Sequence, residues 1–114
     1  MNLKTDSFGL DEEVIDAFAE IFESTTNVDE VIIFGSRAKG NYSEGSDIDL
    51  AVKGKAVFDT VLTLMIEIEK LGLLYKVDIQ NYHSITNQDL RDHIQRVGKT
   101  FWRRSIKQRG HNNF

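Results

Sequence analysis

Apolar and polar positions recur along this chain with two different periods, and the places where the period changes mark the elements. In "GLDEEVIDAFAEIFESTTN", residues 9–27, Val14, Ile15, Phe18, Ile21 and Phe22 fall on one face at helical spacing. Asp11 is placed to cap that helix, and the acidic residues of its first turn favour the positive end of the dipole. "EVIIF" predicts a short buried strand stopped by Gly35. After a polar loop, "DIDLAVK" alternates, with Ile48, Leu50 and Val52 on one face and Asp47, Asp49, Ala51 and Lys53 on the other. "AVFDTVLTLMIEIEKLG" predicts a second helix with Val57, Val61, Leu64, Met65, Ile68 and Leu71 inward and Gly72 at its end. "LLYKVDIQ" alternates as a third strand, with Tyr75, Val77 and Ile79 opposite Lys76, Asp78 and Gln80. "TNQDLRDHIQRVGKT" predicts a third helix starting near Asn87 and ending at Gly98. "TFWRR" predicts a short final strand or arm, and "SIKQRGHNNF" a frayed tail over about 105–114.

The order helix, strand, loop, strand, helix, strand, helix shows no repeat and no linker. With 114 residues it predicts one domain spanning 1–114. The chain has no cysteine, which excludes both a disulfide framework and a thiolate metal site. No apolar run approaches the roughly 20 residues of a membrane span, and the first residues do not read as a signal peptide. The expected location is the cytoplasm, with no membrane partner.

Charge adds an asymmetry. Residues 1–90 carry seven Lys/Arg against seventeen Asp/Glu, whereas residues 91–114 carry seven against Asp92 alone. So acidic a body argues against a general nucleic-acid binder. The basic stretch reads either as solvated or as a patch for phosphate, RNA or an acidic partner.

The candidate chemistry lies in "VIIFGSRAKGNYSEGSDIDLAVKG", residues 31–54. Alternate residues of a strand lie roughly 6.5 Å apart on one face, so Asp47 and Asp49 direct two carboxylates into one space. Held together, they raise each other's pKa unless a cation intervenes. Carboxylate oxygens suit Mg²⁺, which takes one or two of them plus waters and substrate phosphates. If the second and third strands are antiparallel neighbours, Asp78 joins the pair. Three acids around two metals about 3.5–4 Å apart suit in-line displacement at phosphorus. Gly35 allows close backbone approach, "SRAKG" can form a short helix whose first amides face a phosphate, and Ser36, Arg37 and Lys39 add a hydroxyl and positive charge. The stretch is neither an EF-hand nor a P-loop, because the required glycine, glutamate and Gly-Lys-Ser/Thr positions are missing.

Gly35-Ser36, ten residues, then Asp47-Ile48-Asp49 resembles the signature of the polymerase-β-type nucleotidyltransferase superfamily. "FGSRAKGNYSEGSDIDLAV" is similar to its smallest members, the minimal nucleotidyltransferases. The resemblance implies an α/β (α+β) fold, a small mixed sheet flanked by helices. It implies Asp47 and Asp49 as metal ligands and Asp78 as the third carboxylate, aiding metal binding and activating the attacking hydroxyl. Gly35 and Ser36 would hold the β- and γ-phosphates. The implied cofactor is Mg²⁺ in a two-metal site, with Mn²⁺ or Zn²⁺ as substitutes. The implied substrate is ATP or another NTP. The implied reaction moves a nucleoside monophosphate to a hydroxyl and releases pyrophosphate.

Minimal members typically pair with a separate, all-helical HEPN-type protein. In toxin–antitoxin pairs of this kind the nucleotidyltransferase adenylylates a tyrosine of its partner. The alternatives are transfer to a small molecule such as an aminoglycoside, and nucleotide binding without turnover. The sequence leaves homo-oligomerisation open. His83, His93 and His111 lack metal-ligand spacing and read as surface or capping residues. Phe101 and Trp102 read as packing, and Tyr42 as a loop residue covering a core edge or meeting substrate.

Overall fold

The computed structural model describes residues 7–55 and 57–105, without the side chain of Val57. Its elements are α1 (Glu12–Ser24), β1 (Val28–Phe34), the one-turn α2 (Ser36–Lys39), β2 (Ile48–Gly54), α3 (Val57–Glu69), β3 (Val77–Asn81), α4 (Gln88–Val97) and β4 (Lys99–Arg103), with a 3₁₀ turn over Tyr82–Ser84. The four strands form one mixed sheet in the order β3-β2-β1-β4. Both β2 and β4 run antiparallel to β1, and β3 runs parallel to β2. The expected mixed sheet flanked by helices is thus present. The tail beyond Ser105 lies outside the described residues.

The alternation of β2 divides the sheet into two faces. On one, Val31, Ile33, Ile48, Leu50, Val52 and Ile79 pack with Phe18 and Phe22 of α1 and Leu64 and Ile68 of α3. On the other, Phe34 and Ala51 pack beneath α4 through Ile94, with Tyr82 and Ile85 alongside. This second core is small and leaves one end of its face open, and that end carries the acidic residues.

Three expectations change. β2 and β3 are parallel, not antiparallel, because α3 lies in their connection and a helical crossover brings the chain back to the same end of the sheet. β3 starts at Val77 rather than at Leu73; Gly72 turns with φ +65°, and Leu73 and Tyr75 reach the core from an irregular loop. Met65 and Leu71 face outward rather than inward, because Thr60, Leu64 and Ile68 already fill the sheet-facing stripe of α3. The helix caps also differ in kind. Asn87 caps α4 by accepting from the Leu90 N–H at 3.0 Å. The Asp11 side chain makes no such bond, and its backbone carbonyl accepts from Val14 and Ile15 instead.

Both aromatics of β4 lie against α1, which strict alternation forbids. The register between β1 and β4 shifts between Val31 and Ile32, so Phe101 is an extra residue between the pairs Val31–Trp102 and Ile32–Thr100. The bulge lets Phe101 reach Phe8, Phe18 and Phe22 while Trp102 also meets Phe22. The basic stretch contributes here as well. Arg104 donates to the carbonyls of Phe22, Glu23, Thr25 and Val28, which closes the C-terminal end of α1.

Arg103 meets Glu30 at 3.0 Å, and Thr100 donates to the same oxygen. Partial burial pushes the Glu30 carboxyl up, but the Arg103 and Thr100 hydrogen bonds and the charges of Arg103 and Lys53 outweigh it, and the net shift is downward. A depressed carboxyl stabilises the fold above its unfolded value of about 4.3 and loses that contribution as pH falls through the lower folded value. Glu30→Gln is therefore expected to flatten the acid limb of stability, read by urea unfolding at a series of pH values below about 5. An acid limb identical to the wild type would remove this role from Glu30.

Candidate active site

β1 ends at Phe34, whose register partner on β2 is Asp49. The chain then turns at Gly35, with φ +76° and ψ −157°, a region open essentially to glycine alone. The Gly35 carbonyl accepts from the Lys39 N–H at 3.0 Å, closing the single turn of α2. A Cβ on Gly35 would collide with Oδ2 of Asp49, so the bend and the carboxylate are immediate neighbours. The same register places Asp49 opposite Asp78 across the parallel pair β2–β3, on the face away from α1 and α3. Asp47 sits two residues ahead of Asp49, at the mouth of the loop.

These positions act on one another electrostatically. Burial first, then the negative charges of Asp78 and Asp47, push the Asp49 carboxyl above its ordinary range, while His93 and Lys76 draw it partway back. Asp49 is half-buried and Asp47 and Asp78 are exposed, so the open side belongs to the outer two. Among the described residues no three of His, Asp and Glu converge closely enough to hold a metal ion together. The donor set still suits Mg²⁺, which takes one or two carboxylates and completes its shell with water and phosphate oxygens. The repulsion at Asp49 is what such a cation would relieve.

The four phosphate-side candidates separate. Gly35 borders Asp49 directly and half-buried Ser36 follows it as the first residue of α2, whereas Lys39 is exposed at the C-terminal end of that turn. Arg37, only 2% exposed, turns into the protein. Its guanidinium donates to the carbonyls of Phe8 at 2.8 Å, Glu44 at 3.0 Å and Ser46 at 3.1 Å. It also lies over the rings of Tyr42 and Tyr75, at 5.3 and 5.0 Å from their centroids. The expectation that Arg37 presents its charge to a phosphate therefore gives way to a structural role, in which the side chain that leaves α2 pins the loop that delivers Asp47. Tyr42 covers that guanidinium.

Two residues that the sequence does not connect with the site act on Asp49: His93, expected as a surface or capping residue, and Lys76, expected on the Asp78 face of the third strand. His93 meets Phe34 edge-on at 6.1 Å between ring centroids, and its charge reaches Asp49. The available signal was its place in the stripe Leu90, His93, Ile94, Val97, the inward face of α4.

Gly35→Ala is expected to lower activity and stability together. The new methyl must displace the Asp49 carboxylate, and the backbone conformation costs a non-glycine residue about 1–3 kcal/mol. Thermal unfolding and nucleotide transfer measured on the same preparation check this. A variant with wild-type values of both would show the bend to be tolerant.

The family described as "Polymerase beta, Nucleotidyltransferase" matches residues 17–107. A relative from Methanocaldococcus jannaschii, named as a candidate protein adenylyltransferase, is 38% identical over 71 residues, covering 60% of this chain and 68% of its own. Among solved structures, a chain of a toxin–antitoxin complex crystallised with AMP-PNP superposes with a TM-score of 0.58 at 19% identity, covering 83% of this chain and 77% of that one. A chain from the complex of a tri-AMPylated Shewanella oneidensis HEPN toxin with MNT antitoxin gives 0.58 at 17% identity, covering 86% of this chain and 76% of that one. At such identities these superpositions speak for the fold, while the family match and the archaeal relative speak for descent. With the Gly-Ser bend set against an Asp-x-Asp strand, as in the signature read from residues 35–49, the chain belongs to the polymerase-β nucleotidyltransferase family.

Proposed function

We propose that this nucleotidyltransferase moves AMP from ATP to a hydroxyl of a second protein, a tyrosine of a HEPN-type helical partner, with a divalent cation, Mg²⁺ foremost, at the acidic face. The observation that carries the reading is the in-register pair Asp49–Asp78 beside the Gly35 bend, with Asp47 at the loop mouth. The archaeal relative is named for protein adenylylation, and one of the solved complexes contains an AMPylated HEPN toxin, which supports this choice of acceptor. The stretch 1–114 acts as one catalytic domain in the cytoplasm.

Asp47 and Asp49 would hold the metal, which when bound supplies charge neutralisation at the phosphates. Ser36 offers its hydroxyl, and the Gly35–Ser36 backbone its amides, to the β- and γ-phosphates. Lys39, three residues on from Ser36 at the exposed end of α2, adds positive charge on the phosphate side. Asp78 accepts the proton of the incoming hydroxyl, whose oxygen bonds to the α-phosphorus as the bond to the β-phosphate oxygen breaks and pyrophosphate departs. The exposure of Asp78 on the edge strand β3 leaves room for an acceptor brought by another molecule.

The test is incubation with α-labelled ATP and Mg²⁺, with and without a HEPN-type partner. Label on the partner, lost when its tyrosines are replaced, is the expected result. Label on an added aminoglycoside would favour a small-molecule acceptor instead. Bound nucleotide without pyrophosphate release in any mixture would mark a binding module and overturn the proposal.

A further inference from the structure

All the large exposed apolar side chains among the described residues, Phe58, Leu62, Met65, Ile66, Leu71 and Leu74, lie on α3 or just after it. On the helix itself Phe58, Leu62 and Ile66 are 72%, 47% and 59% exposed, with Met65 beside them. Together these four leave on the order of 400 Å² of apolar surface in water, as large as the main patch of many monomers. The inward stripe through Leu64 and Ile68 is already buried, so the outer ridge is not needed to hold α3 in place.

The ridge is symmetric about Leu62: Phe58 lies four residues before it and Ile66 four after. Two antiparallel copies of α3 crossing at Leu62 therefore set Phe58 of each against Ile66 of the other, and Leu62 against itself. This is the self-complementarity that a two-fold interface requires. Antiparallel pairing also sets the C-terminal end of each α3 beside the N-terminal end of the other, so that the two helix dipoles oppose, while exposed Asp59 of each copy falls opposite position 65 of the other. A parallel pair would place like ends together. Because α3 covers the sheet face opposite Asp49 and Asp78, such pairing leaves both acidic faces open.

We propose that α3 is a homodimer interface, with the two-fold axis passing through Leu62. Two such ridges with their flanking stems bury roughly 1,000 Å², the threshold of a specific interface.

Sedimentation of the full chain from about 1 to 100 µM tests it, a range over which a dimer of micromolar dissociation constant forms. The wild type is expected to pass from monomer to dimer. Leu62→Glu and Leu62→Lys should each stay monomeric, with unchanged circular dichroism and unchanged transfer per chain. Mixing the two variants should restore a dimer, because only an axis through position 62 sets the new carboxylate against the new ammonium. A monomeric wild type, a dimer that survives Leu62→Glu, or a mixture that stays monomeric would each overturn the proposal. A monomeric wild type whose binding to a helical partner protein is lost in Leu62→Glu would assign the ridge to that partner and overturn it equally. Unchanged transfer in the monomeric variants keeps this test separate from that of the catalytic reading.

Discussion

Asp49→Asn is expected to abolish nucleotide transfer, by about 10³-fold or more, while leaving the fold intact. In the proposed mechanism Asp49 would help hold a divalent cation, so its loss would remove charge stabilisation worth several kcal/mol at the transition state, and each ~1.4 kcal/mol is a factor of ten in rate. The same change should raise the stability of the metal-free protein at neutral pH. The Asp49 carboxyl is held above its ordinary range by burial and by Asp78 and Asp47, so the folded chain binds that proton more tightly than the unfolded chain does. Stability therefore falls as pH rises through the interval between the unfolded and folded values, and remains lowered above it. Asparagine cannot ionise and escapes that loss. Opposite movements of activity and melting temperature would identify a residue kept for chemistry against its structural cost. If melting temperature and activity fell together, Asp49 would instead be a structural residue.

The second large effect belongs to Arg37, and it falls on stability first. Arg37→Ala leaves the carbonyls of Phe8, Glu44 and Ser46 without their donor and opens a void between Tyr42 and Tyr75. Hydrogen bonds to a charged group contribute about 1.5–3 kcal/mol each and are not additive, so a loss of about 3–5 kcal/mol is expected. For a chain of this size that is a fall in melting temperature of well over ~10 °C. Arg37→Lys should recover little, because one ammonium cannot reproduce a planar fork that serves three carbonyls and stacks on two rings. The loop from Gly40 to Asp47 should loosen as well, lowering transfer activity through the placement of Asp47 rather than through the binding of nucleotide by Arg37. Thermal denaturation and the Mg²⁺ dependence of transfer on the same variants check both parts. A variant of unchanged stability that had lost only nucleotide affinity would return Arg37 to the phosphate side.

What could be read from the sequence followed its local signals. Alternation placed Ile48, Leu50 and Val52 inside and Asp49 outside, and the Gly35 stop fixed where β1 ends. The pairing of β2 with β3 was not local. It depends on α3 carrying the chain back along the sheet, and a hydrophobic period carries no strand direction. Met65 and Leu71 were misplaced because α3 is apolar on more than one side, so periodicity could not choose the buried stripe. Arg37 was misread for another reason: a cation beside a Gly-Ser bend looks like a phosphate ligand, and only the fold shows three loop carbonyls waiting for it. His93 reads as a surface or capping residue because it lacks metal-ligand spacing, and only the docking of α4 through Leu90, Ile94 and Val97 turns it toward the acidic face.

The most direct test of the central claim is where a paramagnetic ion binds. Mn²⁺ added with a non-hydrolysable ATP analogue broadens nearby amide signals in a nitrogen-edited NMR spectrum. The signals of Gly35, Ser36, Asp49 and Asp78 should disappear first. Those of Val28 and Arg104, about 20 Å away at the other end of β1, should persist. Broadening centred anywhere else, or none while the nucleotide is bound, would contradict the account.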